Sequence, residues 1–274
     1  MNITVIIPVH EYNEVIAGYL DKALESVFKQ EQVELPKVII VYAADIASGI
    51  TEFQGKTSVK YPDTRNITLL PNQGKTDYQS QVNLAVDYVD TDYFSVLEFD
   101  DEYGNTYFRN SEKYITSYPD IDIFLTMMIE VNEKNEGIKM TNETVWAQQF
   151  VGENGEMGYL NINSLKQYTD FKLSGAVIKK SEFLNIGKYK TNIQLTFGYE
   201  LLLRALNNAC KVFSMPRIGY KHLATREDSL FGQLGKNMPM DERKFWFETA
   251  NREANFINDR IIDMSRLSKI VVAE

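Results

Sequence analysis

The sequence is short of the residues that cross-link a chain or bind soft metals. One cysteine, Cys210, in 274 residues excludes an internal disulfide framework and leaves no thiolate zinc site. It falls in an apolar helical pattern, where a buried thiol is expected. Histidine is nearly as scarce, with only His10 and His222, so imidazole can at most complete a metal site built from carboxylates. No apolar run reaches the length of a membrane-spanning helix. The N-terminal stretch Met1-Asn2-Ile3-Thr4-Val5-Ile6-Ile7-Pro8-Val9 has no basic leader and is too short and β-branched for a signal peptide, so a cytoplasmic protein is expected. Basic residues are the minority, 29 Lys and Arg against 38 Asp and Glu, a net charge of −9. That balance disfavours non-specific nucleic-acid binding, which depends on neutralising many phosphates. Lys179, Lys180, Lys188 and Lys190 cluster in sequence and read as solvated surface.

What remains is the composition of an ordinary folded protein, 44% hydrophobic and 24% charged, long enough for one α/β domain over residues 1–274. Apolar strand-like runs alternate with amphipathic segments through the first hundred residues, the pattern of βαβ units building a mostly parallel sheet flanked by helices. Strands are expected at Ile3–Val9, Val38–Tyr42, Ile67–Leu70 and Tyr93–Leu97, with helices at Tyr19–Gln30 and Tyr78–Val89. The second half is less regular. Ile121–Val131 reads as a strand, Gly175–Ile178 as a short apolar run, Tyr199–Cys210 as a helix, and Lys244–Leu267 as a charged C-terminal helical extension.

In open α/β sheets ligands bind beyond the carboxyl ends of the strands. Three polar clusters fall there: His10 to Glu14, Asp45 to Ser48, and Glu98 to Glu102. The last, Glu98-Phe99-Asp100-Asp101-Glu102, crowds four carboxylates, whose repulsion a divalent cation would relieve. Oxygen ligands suit Mg²⁺ or Mn²⁺, which keep open positions for waters and phosphates. If the strand geometry continued, Glu98 and Asp100 would share a side. A solvated acidic turn is the plainer alternative.

These features resemble the family 2 glycosyltransferases, inverting enzymes of the GT-A (Rossmann-like) fold, in which a strand ends in an Asp-x-Asp-Asp-like motif. Leu97-Glu98-Phe99-Asp100-Asp101-Glu102 fills that slot. Val5-Ile6-Ile7-Pro8-Val9 through Glu14 is similar to the family's first strand and loop, Asn72-Gln73-Gly74 to its Asn-x-Gly turn, and Gln81-Val82-Asn83 to a helix start. The match covers the first hundred residues in order. It departs at Val41-Tyr42-Ala43-Ala44-Asp45, where the family carries an Asp-Asp-Gly-Ser-like sequence, and at Glu98, where it carries Asp.

The resemblance implies a nucleotide-sugar-binding half at 1–102, an acceptor half at 103–230 and a C-terminal helical segment at 231–274. It implies a divalent metal, Mn²⁺ or Mg²⁺, on Asp100, Glu98 and His222. The donor, expected to be a UDP-sugar, would meet Pro8, Val9, Glu14, Asp45, Gly74, Lys75, Glu98, Lys221 and Arg226. Glu200, in Thr196-Phe197-Gly198-Tyr199-Glu200-Leu201-Leu202-Leu203-Arg204, occupies the place of the base that deprotonates the acceptor hydroxyl. A helix-start carboxylate favoured by the macrodipole is the bland reading of the same residue.

The acceptor is left open: a cell-surface glycan, hydroxylated bases of viral DNA, or none at all in a catalytically silent carbohydrate-binding module. Asn72-Gln73-Gly74-Lys75-Thr76 lacks the upstream glycine of a phosphate-binding loop, which argues against a nucleoside triphosphatase. The glycine-free loop Pro8-Val9-His10-Glu11-Tyr12-Asn13-Glu14 argues against a sugar nucleotidyltransferase. Tyr103, Tyr107, Phe108, Trp146, Phe150 and Tyr159 offer a sugar-stacking platform, with burial in the core expected for at least half of them.

Overall fold

The computed structural model describes residues 2–61, 66–143, 158–224, 226, 238–265 and 267. One twisted sheet runs through both halves of the chain in the order β3-β2-β1-β4-β8-β6-β9-β5, with β7 paired to β6. The first four strands are β1 (Ile3–Val9), β2 (Lys37–Ala43), β3 (Ile67–Asn72) and β4 (Tyr93–Val96). They are mutually parallel, with Val5 opposite Val38 and Ser95. Every residue of β1 is buried, as a central parallel strand covered on both faces requires.

Alternation along β1 feeds two cores. Ile3, Val5, Ile7 and Val9 pack with α1 (Glu14–Phe28), α2 (Ala47–Lys60) and α4 (Tyr107–Ser117). Ile6 turns to the other face, toward α3 (Tyr78–Asp87), α7 (Phe197–Asn207) and α8 (Met240–Glu253). Asn13 and Asp77 cap α1 and α3 by accepting first-turn N–H groups, so both helices start where the sheet's carboxyl edge opens.

The second half adds β5 (Glu102–Tyr103), β6 (Ile123–Val131), β7 (Gly137–Thr141), α5 (Ile162–Gln167), β8 (Val177–Lys179), α6 (Lys180–Asn185) and β9 (Val212–Leu223). Here β6 and β9 are parallel, whereas β8 runs antiparallel to its neighbours β4 and β6, and β5 antiparallel to β9.

Three elements escape the sequence pattern. β9 contains Pro216, which cannot donate a ladder bond, and the register of β6 against it shifts at Thr126/Met127 and Met127/Met128. Met215-Pro216-Arg217-Ile218-Gly219 therefore looks like a turn while lying in a twelve-residue strand. α2 buries only Ile50, Phe53 and Thr57, and its two glycines, Gly49 and Gly55, mask the periodicity. α4 hides behind aromatics: Tyr103 and Tyr107 stack at 4.1 Å and both hydroxyls reach Ser95. Tyr103, Tyr107 and Phe108 are thus core, as expected for at least half of the aromatic set, and Tyr159 packs edge-on to Phe213. Trp146 and Phe150 lie outside the described residues. α7 ends at Asn207, so Cys210 follows the helix rather than lying in it; the thiol is buried, which pushes its pKa up to about 11.

Candidate active site

A cavity of about 440 Å³ opens at the carboxyl ends of β1 and β4, lined among others by Pro8, His10, Asp77, Glu98, Asp100, His222 and Arg226. The acidic run that borders it is not a continuation of the strand. β4 stops at Val96, and the N–H of Asp101 donates to the carbonyl of Glu98 at 3.0 Å, closing a turn. Strand alternation therefore does not apply. A turn brings its first and last residues together, so Glu98 sits with Asp101, not with Asp100. Ligand atoms of Glu98, Asp101 and His222 lie within 4.8 Å of one another. The expected trio of Asp100, Glu98 and His222 does border the cavity together, but Asp101 was missed as the residue that organises it.

Asp101 is buried and fully engaged. Its oxygens accept from the N–H of Leu223 at 2.8 Å and lie 2.9 and 3.2 Å from His222 Nδ1. Burial lowers the proton affinity of the imidazole, but the Asp101 and Glu98 carboxylates outweigh it and raise the pKa of His222 to about 9. With Nδ1 turned to Asp101, Nε2 is the nitrogen left for a ligand. Glu98 accepts a hydrogen bond from the Ser174 hydroxyl, and its backbone N–H donates to Tyr220 at 3.1 Å. The Tyr220 ring is admitted by Gly175, at φ +68°, where a Cβ would stand 2.3 Å from it. Burial, then the charge of Asp101, raises the pKa of Glu98.

Asp100 stands outside that close cluster but borders the same cavity. Its carboxylate lies 3.4 Å from the Arg226 guanidinium, which stacks 4.9 Å over Phe99. Burial, then repulsion from Asp101 and Glu98, pushes its pKa up to about 7 against the pull of Arg226. Carboxyl groups whose hold on a proton is tightened by burial and crowding, Asp100 and Glu98, beside an imidazole with Nε2 left over, form a donor set that fits a hard divalent cation. Metal binding has to displace these protons. Mn²⁺ affinity is accordingly expected to tighten as pH rises, by about tenfold per unit between pH 7 and 9, where His222 loses one proton per ion bound. Isothermal titration across that range tests it, and a flat profile would remove His222 from the ion's shell.

Other expected donor contacts disperse. Pro8 borders the cavity, while Val9 is buried and offers only its N–H, at 3.2 Å from Gln81 Oε1. Glu14 is exposed in the first turn of α1, and Asp45 is exposed in the short Ala44–Ile46 turn after β2. Gly74 and Lys75 close a loop onto the Asn72 side chain, at 2.9 and 2.6 Å. Val9, Glu14, Asp45, Gly74 and Lys75 are all absent from the lining of the cavity among the described residues. Lys221 follows Tyr220 and precedes His222 on β9, so alternation sends it to the opposite face, where it pairs with Glu102 at 2.5 Å in a separate polar cavity. The sequence reading overlooked Asp77, Glu130 and Lys172, which do line the cavity. Asp77 was legible as the cap of α3; Glu130 and Lys172 were not, because their 2.9 Å pairing joins distant segments.

Glu200 requires the clearest correction. It has no exposed surface, and its carboxylate is held by Arg204 through two bonds of 2.8 and 2.9 Å and by Lys190 at 3.3 Å. Glu200 and Arg204 are one turn apart on α7, so the pair forms within the helix. A base must reach the proton it takes, and this carboxylate is sealed in the core beneath α8. Lys190, expected on the surface, is buried too, its ammonium capping the carbonyls of Glu253 and Phe256 at 2.6 and 2.7 Å.

No family model matches the sequence, and no curated protein is similar to it in sequence. Solved structures are similar in fold. TarS 1–349 of S. aureus in complex with UDP-GlcNAc superposes over 93% of this chain and 73% of that chain, with a TM-score of 0.62 at 15% identity. The same protein in complex with UDP gives 99% and 75%, with a TM-score of 0.61 at 17% identity. The mannosyltransferase PcManGT from Pyrobaculum calidifontis, in complex with GDP-Man and Mn²⁺, gives 95% and 66%, with a TM-score of 0.60 at 12% identity. Against the longer TarS structure this chain spans 44% of the length. The chain has the GT-A fold of these glycosyltransferases. Among the described residues, no helix is long and apolar enough to cross a membrane.

Proposed function

We propose that the protein is a metal-dependent glycosyltransferase that moves a sugar from a nucleotide-sugar, expected to be a UDP-sugar, to an acceptor hydroxyl with inversion. The observation that carries this reading is the placement of Glu98, Asp100 and His222 around one cavity at the carboxyl edge of a GT-A sheet. Structures of the same fold hold UDP-GlcNAc, or GDP-Man with Mn²⁺.

Asp100 and His222 are the residues that would hold the ion, His222 through Nε2 with Asp101 behind it. A bound divalent cation supplies charge neutralisation to a departing diphosphate. Arg226, beside Asp100, adds a fixed positive charge at the same place. Inversion needs a base on the acceptor side. Among the described residues, Glu98 is the carboxylate that lines both the donor cavity and the neighbouring cleft of about 340 Å³. Its Oε1 is occupied by Ser174, which leaves Oε2 to receive the proton. Glu98 therefore takes over the role the sequence gave to Glu200.

The test is a donor panel of UDP- and GDP-sugars with Mn²⁺, read as release of nucleoside diphosphate. Turnover is expected with at least one donor and is expected to vanish on chelation. Asp100→Asn is expected to weaken donor binding and to cut turnover by at least about a hundredfold, in keeping with loss of transition-state charge stabilisation. Glu98→Gln is expected to spare donor binding while removing transfer. A panel with neither turnover nor binding would end the enzyme reading, and equal effects of the two variants on binding would undo the division of roles.

A further inference from the structure

The cleft beside the donor cavity shares Tyr78, Glu98, Lys172 and His222 with it, so whatever occupies the cleft meets the donor at Glu98. Its walls are rings: Tyr78, Phe171, Tyr189, Phe197, Tyr199 and Phe247. Among the described residues, several of its polar groups are already engaged within the protein, while Glu98 keeps Oε2 and His222 keeps Nε2 at the end shared with the first cavity. The Ser174 hydroxyl donates to Glu98 and the Thr196 hydroxyl to the carbonyl of Trp246 at 2.9 Å. Lys172 is paired with Glu130 at 2.9 Å, and Arg243 Nε donates to the carbonyl of Met238 at 3.2 Å. A polyhydroxylated glycan entering here would exchange water for walls that, among the described residues, return few hydrogen bonds, and each buried hydroxyl left without a partner weakens binding. For a polyanionic acceptor, Lys172 and His222 are already balanced in part by Glu130 and Asp101, and Arg243 spends its Nε on Met238. An aromatic ring gains from both burial and edge or face contact with the walls.

We propose, building on the glycosyltransferase reading, that the acceptor is a small apolar alcohol or phenol with an aromatic ring system, bound in this cleft with its hydroxyl at Glu98. In the transfer, the acceptor oxygen bonds to the anomeric carbon as the bond from that carbon to the diphosphate oxygen breaks. The hydroxyl proton goes to the Glu98 carboxylate and the electron pair leaves with the nucleoside diphosphate. The cleft volume of about 340 Å³ is at the lower end of the range for drug-sized ligands, roughly 300–1,000 Å³.

Gly198 offers a direct test. It lies on the cleft in the first turn of α7, and a Cβ added there meets only Leu173 Cδ1, at 3.7 Å. Gly198→Asp therefore places a carboxylate among the rings at a helix position that tolerates one. Binding of 2-naphthol, of a linear malto-oligosaccharide and of a glycerol-phosphate polymer is measured by ligand-observed NMR without donor. Transfer to each is then measured with the donor found by the panel and Mn²⁺. Naphthol is expected to bind, to be glycosylated, and to lose at least tenfold in affinity in Gly198→Asp and in Phe247→Ala, with UDP and Mn²⁺ binding unchanged. Preference for the oligosaccharide or the polymer overturns the proposal, as does naphthol binding that both variants leave intact. Donor turnover without naphthol binding overturns the acceptor class and leaves the glycosyltransferase reading standing. Naphthol bound and displaced by Gly198→Asp, in a protein that turns over no donor, supports the cleft while the transferase reading falls.

Discussion

Replacing Glu200 with alanine is expected to lower the thermal unfolding midpoint by roughly 5–15 °C rather than to remove a catalytic base from a stable enzyme. Among the described residues, the carboxylate is the sole acidic partner of two buried cations, Arg204 and Lys190, all three side chains having no exposure. Removing one member of a buried ion cluster leaves uncompensated charge in a poorly polarisable interior and costs about 3–5 kcal/mol. The cluster also holds backbone: Arg204 donates to the carbonyls of Ile186 and Lys188, and Lys190 to those of Glu253 and Phe256. Loss of Glu200 thus loosens the seat of α8 on α7. Differential scanning calorimetry alongside donor hydrolysis separates the two roles. An unchanged midpoint with abolished transfer would restore Glu200 as the base.

The second large effect is expected at Asp101, a residue with no free oxygen for substrate. Asp101→Asn keeps the shape and an acceptor for the Leu223 N–H but loses the charge that sets the His222 proton. The imidazole then no longer receives a fixed Nδ1–H···carboxylate arrangement, and the orientation of Nε2 is lost with it. Changes to such supporting carboxylates typically cost about 10–100-fold in metal affinity. Titration of Mn²⁺ into the variant is expected to show a loss of that size, with circular dichroism unchanged. Wild-type affinity in Asp101→Asn would remove His222 from the ion site.

The sequence made the parallel half of the sheet and the place of the acidic run legible, because buried strands there are short, apolar and β-branched, and one strand delivers the run directly. It did not reveal which carboxylates converge. Alternation paired Glu98 with Asp100, but alternation ends with the strand at Val96, and the turn that follows selects Asp101 instead. Lys221 failed for the complementary reason: it does lie on a strand, and period two puts it on the face away from His222. Glu200 was misread because a carboxylate in the first turn of a helix looks the same in sequence whether it faces a cleft or an arginine four residues on. Only the buried neighbours, Lys190 and Ile186 from a preceding loop, tell the two apart.

The pairing of Asp101 with His222 spans 121 positions of chain and exists only once β9 has come to lie between β6 and β5. Such long-range closure is entropically costly and comes late in the assembly of a sheet. A divalent ion therefore has no finished pocket to enter while the chain is still collapsing. An ion bound there would act on the completed fold alone, lengthening the lifetime of the native state without hastening its formation. Such an ion would be a seal on the finished molecule, and its binding would report that the last strand of the described sheet is in place.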